Sequence, residues 1–173
     1  MTATKAIPVK RLLSAQAYQL IDRELAKYPA DQKQSAVMGA LTIAQDEVGW
    51  VSPAVIEDVA DYLSMPPIAV YEVATFYNMY NLEEVGTWKI GVCTCLPCAL
   101  REGDKAGEYL KQKLGIDFGE TTPDGRFTLI ETECLGSCAD APICLINDKR
   151  VESFMDNAKL DALIDELRNK ERH

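Results

Sequence analysis

Histidine is almost missing from this sequence: among 173 residues the one histidine is His173, the last in the chain. A terminal residue is held by few contacts, so we expect the interior to contain no imidazole that could serve as a metal ligand or a general base. This excludes zinc sites with histidine ligands, Rieske centres, cysteine–histidine proteases and serine–histidine–aspartate hydrolases.

Long apolar runs and an excess of positive charge are missing as well. No hydrophobic stretch approaches the roughly 20 residues of a membrane-spanning helix, and 18 lysines and arginines stand against 27 aspartates and glutamates, a net charge of −9. Phosphate backbones and anionic headgroups repel such a chain, so we expect no nucleic-acid partner and no direct membrane insertion. Near the start, Lys5, Lys10 and Arg11 have no apolar region and no cleavage site behind them, which predicts no secretory signal and a reducing compartment.

Cysteine is absent from the first half of the chain, since all six cysteines lie between Cys93 and Cys144. In that first half the apolar residues recur at helical spacing in four short segments, which predicts a small helical bundle over residues 1–86. The four apolar stripes are Tyr18, Ile21, Leu25 and Tyr28; Val37, Leu41, Ala44 and Val48; Val55, Ile56, Val59 and Leu63; and Val70, Ala74 and Tyr77. Gly49 closes the second helix, and Ser52 followed by Pro53 begins the third.

After Gly86 the apolar pattern alternates as in strands. The predicted elements are a strand at 88–92, a helix from about Cys98 to Leu114, a strand at 127–130, a hairpin of strands at 143–147 and 150–154, and a last helix capped by Asp156. This order is that of a thioredoxin-like α/β domain, here over residues 87–173. The predicted fold class is therefore α+β in two parts, a helical bundle followed by that domain.

Two pairs of cysteines each follow a predicted strand. Cys93 and Cys98 come directly after the first strand of the second half, and Cys134 and Cys138 come after the next. Because the carboxyl ends of parallel strands meet at one edge of a sheet, we expect the four thiols to converge. Gathered thiolates repel one another unless a cation binds among them, so zinc and iron–sulfur clusters are the candidates.

The spacing of the pairs favours iron and sulfide. Structural zinc sites usually use C-x2-C, and four-iron ferredoxins use C-x2-C-x2-C, whereas this chain has C-x4-C and C-x3-C. The wider spacing suits a 2Fe–2S cluster. A zinc-stapled interaction module remains as an alternative.

A third interpretation uses Cys95 and Cys98, which form a C-x-x-C that opens a helix after a strand. In a thioredoxin-like domain this is also the dithiol motif of thiol–disulfide oxidoreductases, with Cys95 as the attacking thiol. That interpretation leaves Cys93, Cys134 and Cys138 without a role. Cys144, on a predicted strand, is typical of a buried small apolar residue.

The residues around the cysteines resemble a known family. The strings are VCTCLPCALR and ECLGSCADAP around the two pairs, and AQDEVGWVSP and PPIAVYEVATFYNMY in the helical half. Together they resemble the thioredoxin-like 2Fe–2S subunit of NADH:quinone oxidoreductase, respiratory complex I. The likeness extends over about residues 15–165. The same module occurs in NAD-reducing hydrogenases and NAD-dependent formate dehydrogenases, which the cysteine pattern does not exclude.

The resemblance implies that Cys93, Cys98, Cys134 and Cys138 hold one 2Fe–2S cluster, which exchanges single electrons with FMN. It implies that FMN and NADH lie on a partner subunit, on which the helical bundle docks, and that a large iron–sulfur subunit belongs to the same complex. It further implies a place in the peripheral arm on the cytoplasmic side of the inner membrane. This chain has no G-x-G-x-x-G motif and no expected catalytic residue.

Two positions in the cysteine loops carry expectations of their own. Family members often have another residue where Cys95 stands, so the resemblance gives Cys95 no ligand role, although its thiol could shift the reduction potential or replace a lost ligand. Ala141–Pro142 resembles the cis-proline dipeptide of thioredoxin-like folds, which predicts a cis peptide bond there.

Overall fold

The computed structural model describes residues 11–170; the first ten residues, with Lys5 and Lys10, and the last three, with His173, lie outside it. The chain divides into two compact units between Glu84 and Val85. Each unit has its own apolar core. Across residues 11–170, no helix combines the length and the apolar character needed to cross a membrane.

The first unit is helical. Its elements are α1 (Ala15–Leu25), a 3-10 turn (Lys33–Ala36), α2 (Val37–Val48), α3 (Pro53–Leu63) and α4 (Pro67–Phe76). The predicted ends hold where local chemistry sets them: the Ser52 hydroxyl accepts a hydrogen bond from the N–H of Val55, and Gly49 ends α2 in the left-handed conformation, with φ of 98°. The four predicted helices are thus confirmed.

The core of this unit contains the predicted stripes with three exceptions. Ile21, Leu41 and Leu63 are fully or almost fully buried. Tyr28 and Tyr77 are about 40% exposed because each lies beyond the end of its helix, where helical spacing no longer sets the direction of a side chain; the relative exposures are 40% and 38%. Val48, the last residue of α2, is likewise exposed.

A fully buried carboxylate, which the sequence pattern does not predict, fastens the start of the described chain to α3. Asp58 accepts hydrogen bonds from the Arg11 guanidinium at 3.0 Å, the N–H of Leu12 at 3.1 Å and the Tyr18 hydroxyl. Each partner satisfies part of a charge that would be costly to bury alone. Arg11 also pairs with Asp61 at 2.7 Å.

The second unit is an α+β domain around one mixed sheet. Its elements are β1 (Trp88–Cys93), α5 (Leu96–Ala99), α6 (Gly103–Leu114), β2 (Phe127–Thr132), a 3-10 turn (Cys138–Asp140), β3 (Ile143–Ile146), β4 (Arg150–Ser153) and α7 (Asn157–Arg168). The strand order is β2-β1-β3-β4; β1 and β2 are parallel, and the other pairs are antiparallel. The predicted fold class is confirmed.

Local signals again set the ends of elements in this unit. Asn147 and Asp148 both take positive φ, 49° and 56°, which is the conformation of a tight two-residue hairpin turn between β3 and β4. The Asp156 carboxylate accepts a hydrogen bond from the N–H of Lys159 and caps α7. All six residues of β1 are buried, as expected for a central strand.

One predicted helix is wrong. The segment from Cys98 to Leu114 is not continuous but is divided into α5 and α6, with Glu102 between them at a φ of 69°. Helical spacing does not reveal this break, because the cause is a tertiary contact at Gly103, the first residue of α6, described below.

Candidate iron–sulfur site

The two cysteine loops leave the same edge of the sheet. In the parallel pairing of β1 with β2, Cys93 lies opposite Thr132, the last residue of β2. Cys134 therefore begins its loop two residues beyond the partner of Cys93. The register explains how cysteines far apart in sequence come together, as the strand order predicts.

The first loop is tightly held. Cys93 and Cys98 are each 1% exposed, and the carbonyl of Cys95 accepts hydrogen bonds from the N–H of Cys98 at 2.8 Å and of Ala99 at 2.9 Å. Cys98 is thus the third residue of the short helix α5 and does not begin a long one, as had been expected. The Thr94 hydroxyl donates to the carboxylate of Glu131 near the end of β2, which ties the loop to the neighbouring strand.

A close backbone approach fixes the same loop from the other side. A Cβ atom on Gly103 would lie 2.8 Å from the carbonyl oxygen of Cys93 and 2.9 Å from that of Cys98. Both distances are shorter than side chains tolerate, so α6 can begin against the cysteine backbone only because residue 103 is glycine. Sequence reasoning missed Gly103; its one signal is a glycine at the start of a helix where a capping residue is common.

The second loop is more open. Cys134 is exposed and Cys138, which begins the 3-10 turn, is half-buried. Between them Gly136 takes a φ of 73° and directs its N–H toward the Cys134 sulfur, at an N···S distance of 3.4 Å. The peptide bond between Ala141 and Pro142 is cis, which confirms that prediction.

The thiols of the two loops interact. Burial raises the pKa of Cys98 to about 12, and the neighbouring thiols of Cys93 and Cys138 raise it further. Burial also acts to raise the pKa of Cys93, but hydrogen bonds from the N–H of Cys95, the Cys98 thiol and the N–H of Leu135 outweigh it, so its pKa is lowered. The Cys93 sulfur is therefore the one best prepared to carry negative charge.

Cys95 belongs to the same group of thiols. Burial raises its pKa, followed by the charge and the hydrogen bond of Cys93 and by the charges of Cys134 and Glu133. Cys144 lies apart: it is fully buried on β3 within the apolar core of the unit, and burial, with Glu152, raises its pKa to about 12. The structure thus brings five of the six thiols into one neighbourhood.

The donor set suits an iron–sulfur cluster. All six cysteines are free thiols, and the raised pKa of Cys98 shows that this group resists full ionisation unless cationic charge enters among the sulfurs. Four thiolates are the ligands of a 2Fe–2S cluster, and two pairs on two adjacent loops supply them. Within residues 11–170, no three or more His, Cys, Asp or Glu side chains are arranged as they stand to hold a single metal ion.

Comparison with known proteins gives the family. The model of the thioredoxin-like [2Fe-2S] ferredoxin family matches residues 21–168. The chain belongs to this family. The resemblance that the cysteine strings predict is thereby confirmed, and the match of this ferredoxin family extends over most of both units.

Relatives at high identity carry related names. The chain is 45% identical over 151 residues to a subunit of the NADH-quinone oxidoreductase of Rickettsia conorii, covering 87% of this chain and 90% of that protein. It is 47% identical over 146 residues to the subunit of the same name from Rickettsia bellii, covering 84% and 87%. It is 41% identical to the mitochondrial NADH dehydrogenase [ubiquinone] flavoprotein 2 of Dictyostelium discoideum, covering 86% of this chain and 60% of that one.

A solved structure shares the fold of this ferredoxin. The NAD+-reducing [NiFe]-hydrogenase in its air-oxidized state matches with a TM-score of 0.68 at 23% identity. The match covers 80% of this chain but 24% of the hydrogenase chain, so this chain spans about a quarter of that protein's length.

Proposed function

We propose that this chain is an electron-carrying subunit of an NADH:quinone oxidoreductase and holds one 2Fe–2S cluster on Cys93, Cys98, Cys134 and Cys138. The observation that carries the proposal is the pairing of Cys93 with Thr132, because it brings the two cysteine loops to one edge of the sheet. The identity of 45% to an NADH-quinone oxidoreductase subunit over 87% of the chain supports the same assignment.

The chain's own residues prepare the site for charge. When bound, the cluster takes up and releases a single electron, which is its own chemistry. The N–H groups of Cys95 and Leu135 donate to the Cys93 sulfur, and the N–H of Gly136 donates to the Cys134 sulfur. Such hydrogen bonds stabilise negative charge on the ligands, while burial of Cys93 and Cys98 keeps water from them. No residue is assigned a catalytic role.

The proposal includes a division of labour along the chain. Residues 87–173 carry the cluster, and residues 1–86 dock on the subunit that binds FMN and NADH, with which the cluster exchanges electrons. A large iron–sulfur subunit completes the assembly, in the peripheral arm on the cytoplasmic side of the inner membrane. Neither FMN nor NADH binds to this chain itself, and neither nucleic acid nor direct membrane insertion is part of its function.

The test is a metal and sulfide analysis of the full chain purified without oxygen. We expect about two irons and about two acid-labile sulfides per chain, a red-brown colour and a rhombic EPR signal after reduction. A colourless, folded protein with about one zinc per chain would instead identify a zinc-stapled module. A colourless, metal-free protein whose disulfide exchange disappears in Cys95→Ser would identify a thiol–disulfide oxidoreductase.

The parent complex requires a separate experiment. The likeness to the NAD+-reducing hydrogenase favours a second candidate, the equivalent subunit of such a hydrogenase or of an NAD-dependent formate dehydrogenase. Isolation of the tagged full chain from its own cells, followed by assays of the co-purifying proteins, separates these. We expect a flavin-containing partner and NADH-dependent quinone reduction; co-purifying hydrogenase or formate dehydrogenase activity would assign the second candidate.

A further inference from the structure

Cys95 occupies a position that its backbone does not explain. It is the residue that precedes α5, a position where serine, threonine, aspartate and asparagine usually accept a hydrogen bond from the helix. The Cys95 side chain makes no such capping bond. It packs instead against the buried group that contains Cys93 and Cys98.

The neighbours of Cys95 place it on one side of the site. Its thiol hydrogen-bonds with that of Cys93 and lies within the electrostatic reach of Cys134. The strongest thiol contacts of Cys98 are instead with Cys93 and Cys138. Cys95 is therefore next to Cys134, whereas Cys138 has a different neighbour.

Cys134 also differs from the other three proposed ligands in its exposure. Cys93 and Cys98 are buried and Cys138 is half-buried, whereas Cys134 is exposed to solvent. An exposed thiolate ligand is the one most open to exchange or chemical modification. The half-buried Cys95 lies beside the ligand that is easiest to lose.

We propose that Cys95 is a reserve ligand, by which we mean a thiol that binds the cluster in place of Cys134 when Cys134 is lost. The second ligand set is then Cys93, Cys95, Cys98 and Cys138. Cys95 gives its proton to solvent as it binds iron, one thiolate takes the place of another, and no electron is transferred. This inference rests on the proposed 2Fe–2S cluster.

The test compares alanine variants of the full chain, prepared without oxygen. The variants are Cys95→Ala, Cys134→Ala, Cys138→Ala and the double variant Cys95→Ala/Cys134→Ala. Iron and sulfide per folded chain, visible absorption and the EPR spectrum of the reduced protein are measured, with circular dichroism to follow folding. Cys138→Ala is the matched control, because it removes a ligand that Cys95 does not adjoin.

We expect Cys134→Ala to keep most of the wild-type iron, with an altered EPR signal because one ligand has changed. The double variant and Cys138→Ala should each hold at least roughly tenfold less iron, and Cys95→Ala should match the wild type. If Cys134→Ala does not fold, the isosteric Cys134→Ser with and without Cys95→Ala gives the same comparison.

Two results would overturn the reserve role. One is a Cys134→Ala variant as empty of iron as the double variant; the other is a double variant that keeps as much iron as Cys134→Ala. In both cases a loaded wild type leaves the proposed function standing. A folded wild type without iron or sulfide would overturn the proposed function itself.

Discussion

The two cysteine loops reach the same edge of one sheet but are built differently. The first loop holds Cys93 and Cys98 at 1% exposure, and it is fixed by α5 and by the close approach of Gly103. The second loop leaves Cys134 exposed and Cys138 half-buried. We infer that the fold by itself positions the first pair of sulfurs, whereas the second pair depends more on the bound cluster for its order.

The largest expected effect is the loss of a buried ligand. Cys98→Ala should abolish the cluster, because no other thiol is held in its place, whereas Cys144→Ala removes an equally buried thiol from the apolar core and should keep it. The cost of Cys144→Ala is a packing loss of about 1 kcal/mol in the free energy of unfolding. Iron content and chemical denaturation measure the two effects; equal loss of iron in both variants contradicts the ligand assignment.

A methyl group on Gly103 tests whether the first loop is preformed. Because the added Cβ would meet the carbonyl oxygens of Cys93 and Cys98, Gly103→Ala should lower the free energy of unfolding by about 1–3 kcal/mol and reduce the iron content.

Gly107→Ala is the matched control for that substitution. It lies in the same helix, where a Cβ would meet the edge of the Phe118 ring at 3.0 Å, a side chain that can move. Alanine also favours a helix interior over glycine by roughly 1 kcal/mol. We therefore expect Gly107→Ala to keep its iron and most of its stability; equal damage in both variants contradicts a specific role for Gly103.

Removal of the cluster should loosen the second loop more than the first. After anaerobic chelation, we expect amide exchange at residues 134–138 to accelerate about tenfold more than exchange at residues 94–98, because the first loop keeps its packing. Hydrogen–deuterium exchange with mass spectrometry measures both segments in one sample. Equal acceleration would show that the fold supports the two loops to the same degree.

The smallest expected effect concerns the link between the first loop and β2. Thr94→Val removes the hydroxyl that donates to Glu131 but keeps the branched shape, so we expect a loss of about 1 kcal/mol in the free energy of unfolding. Thr75→Val is the control, since it removes a hydroxyl bonded to the backbone of α4, in the other unit. A weaker hold on iron in Thr94→Val alone would assign this contact to the site.

Sequence reasoning succeeds where one residue acts on its own neighbours. Ser52, Gly49 and Asp156 mark helix ends correctly, because each uses a side chain or a backbone conformation that depends on the next few residues. It fails at Tyr28 and Tyr77, which keep the helical spacing of their segments although the helices have already ended.

The site divides in the same way. The convergence of the cysteine pairs is predictable, because strand order alone places the ends of parallel strands together. The interruption between α5 and α6 is not, because it arises from contacts of Gly103 with Cys93 and Cys98 that helical periodicity does not encode. Nor does the spacing reveal that Cys134 is the exposed member of the set.

By itself the sequence determines the order of helices and strands, the cis bond before Pro142 and the thiol chemistry of the site, because these depend on local backbone preferences and on residue type. Tertiary structure decides which sulfurs are buried, which N–H groups face them and that Cys95 lies beside Cys134. Those properties depend on distances between segments far apart in the chain, and such distances are fixed only when the sheet and its helices pack.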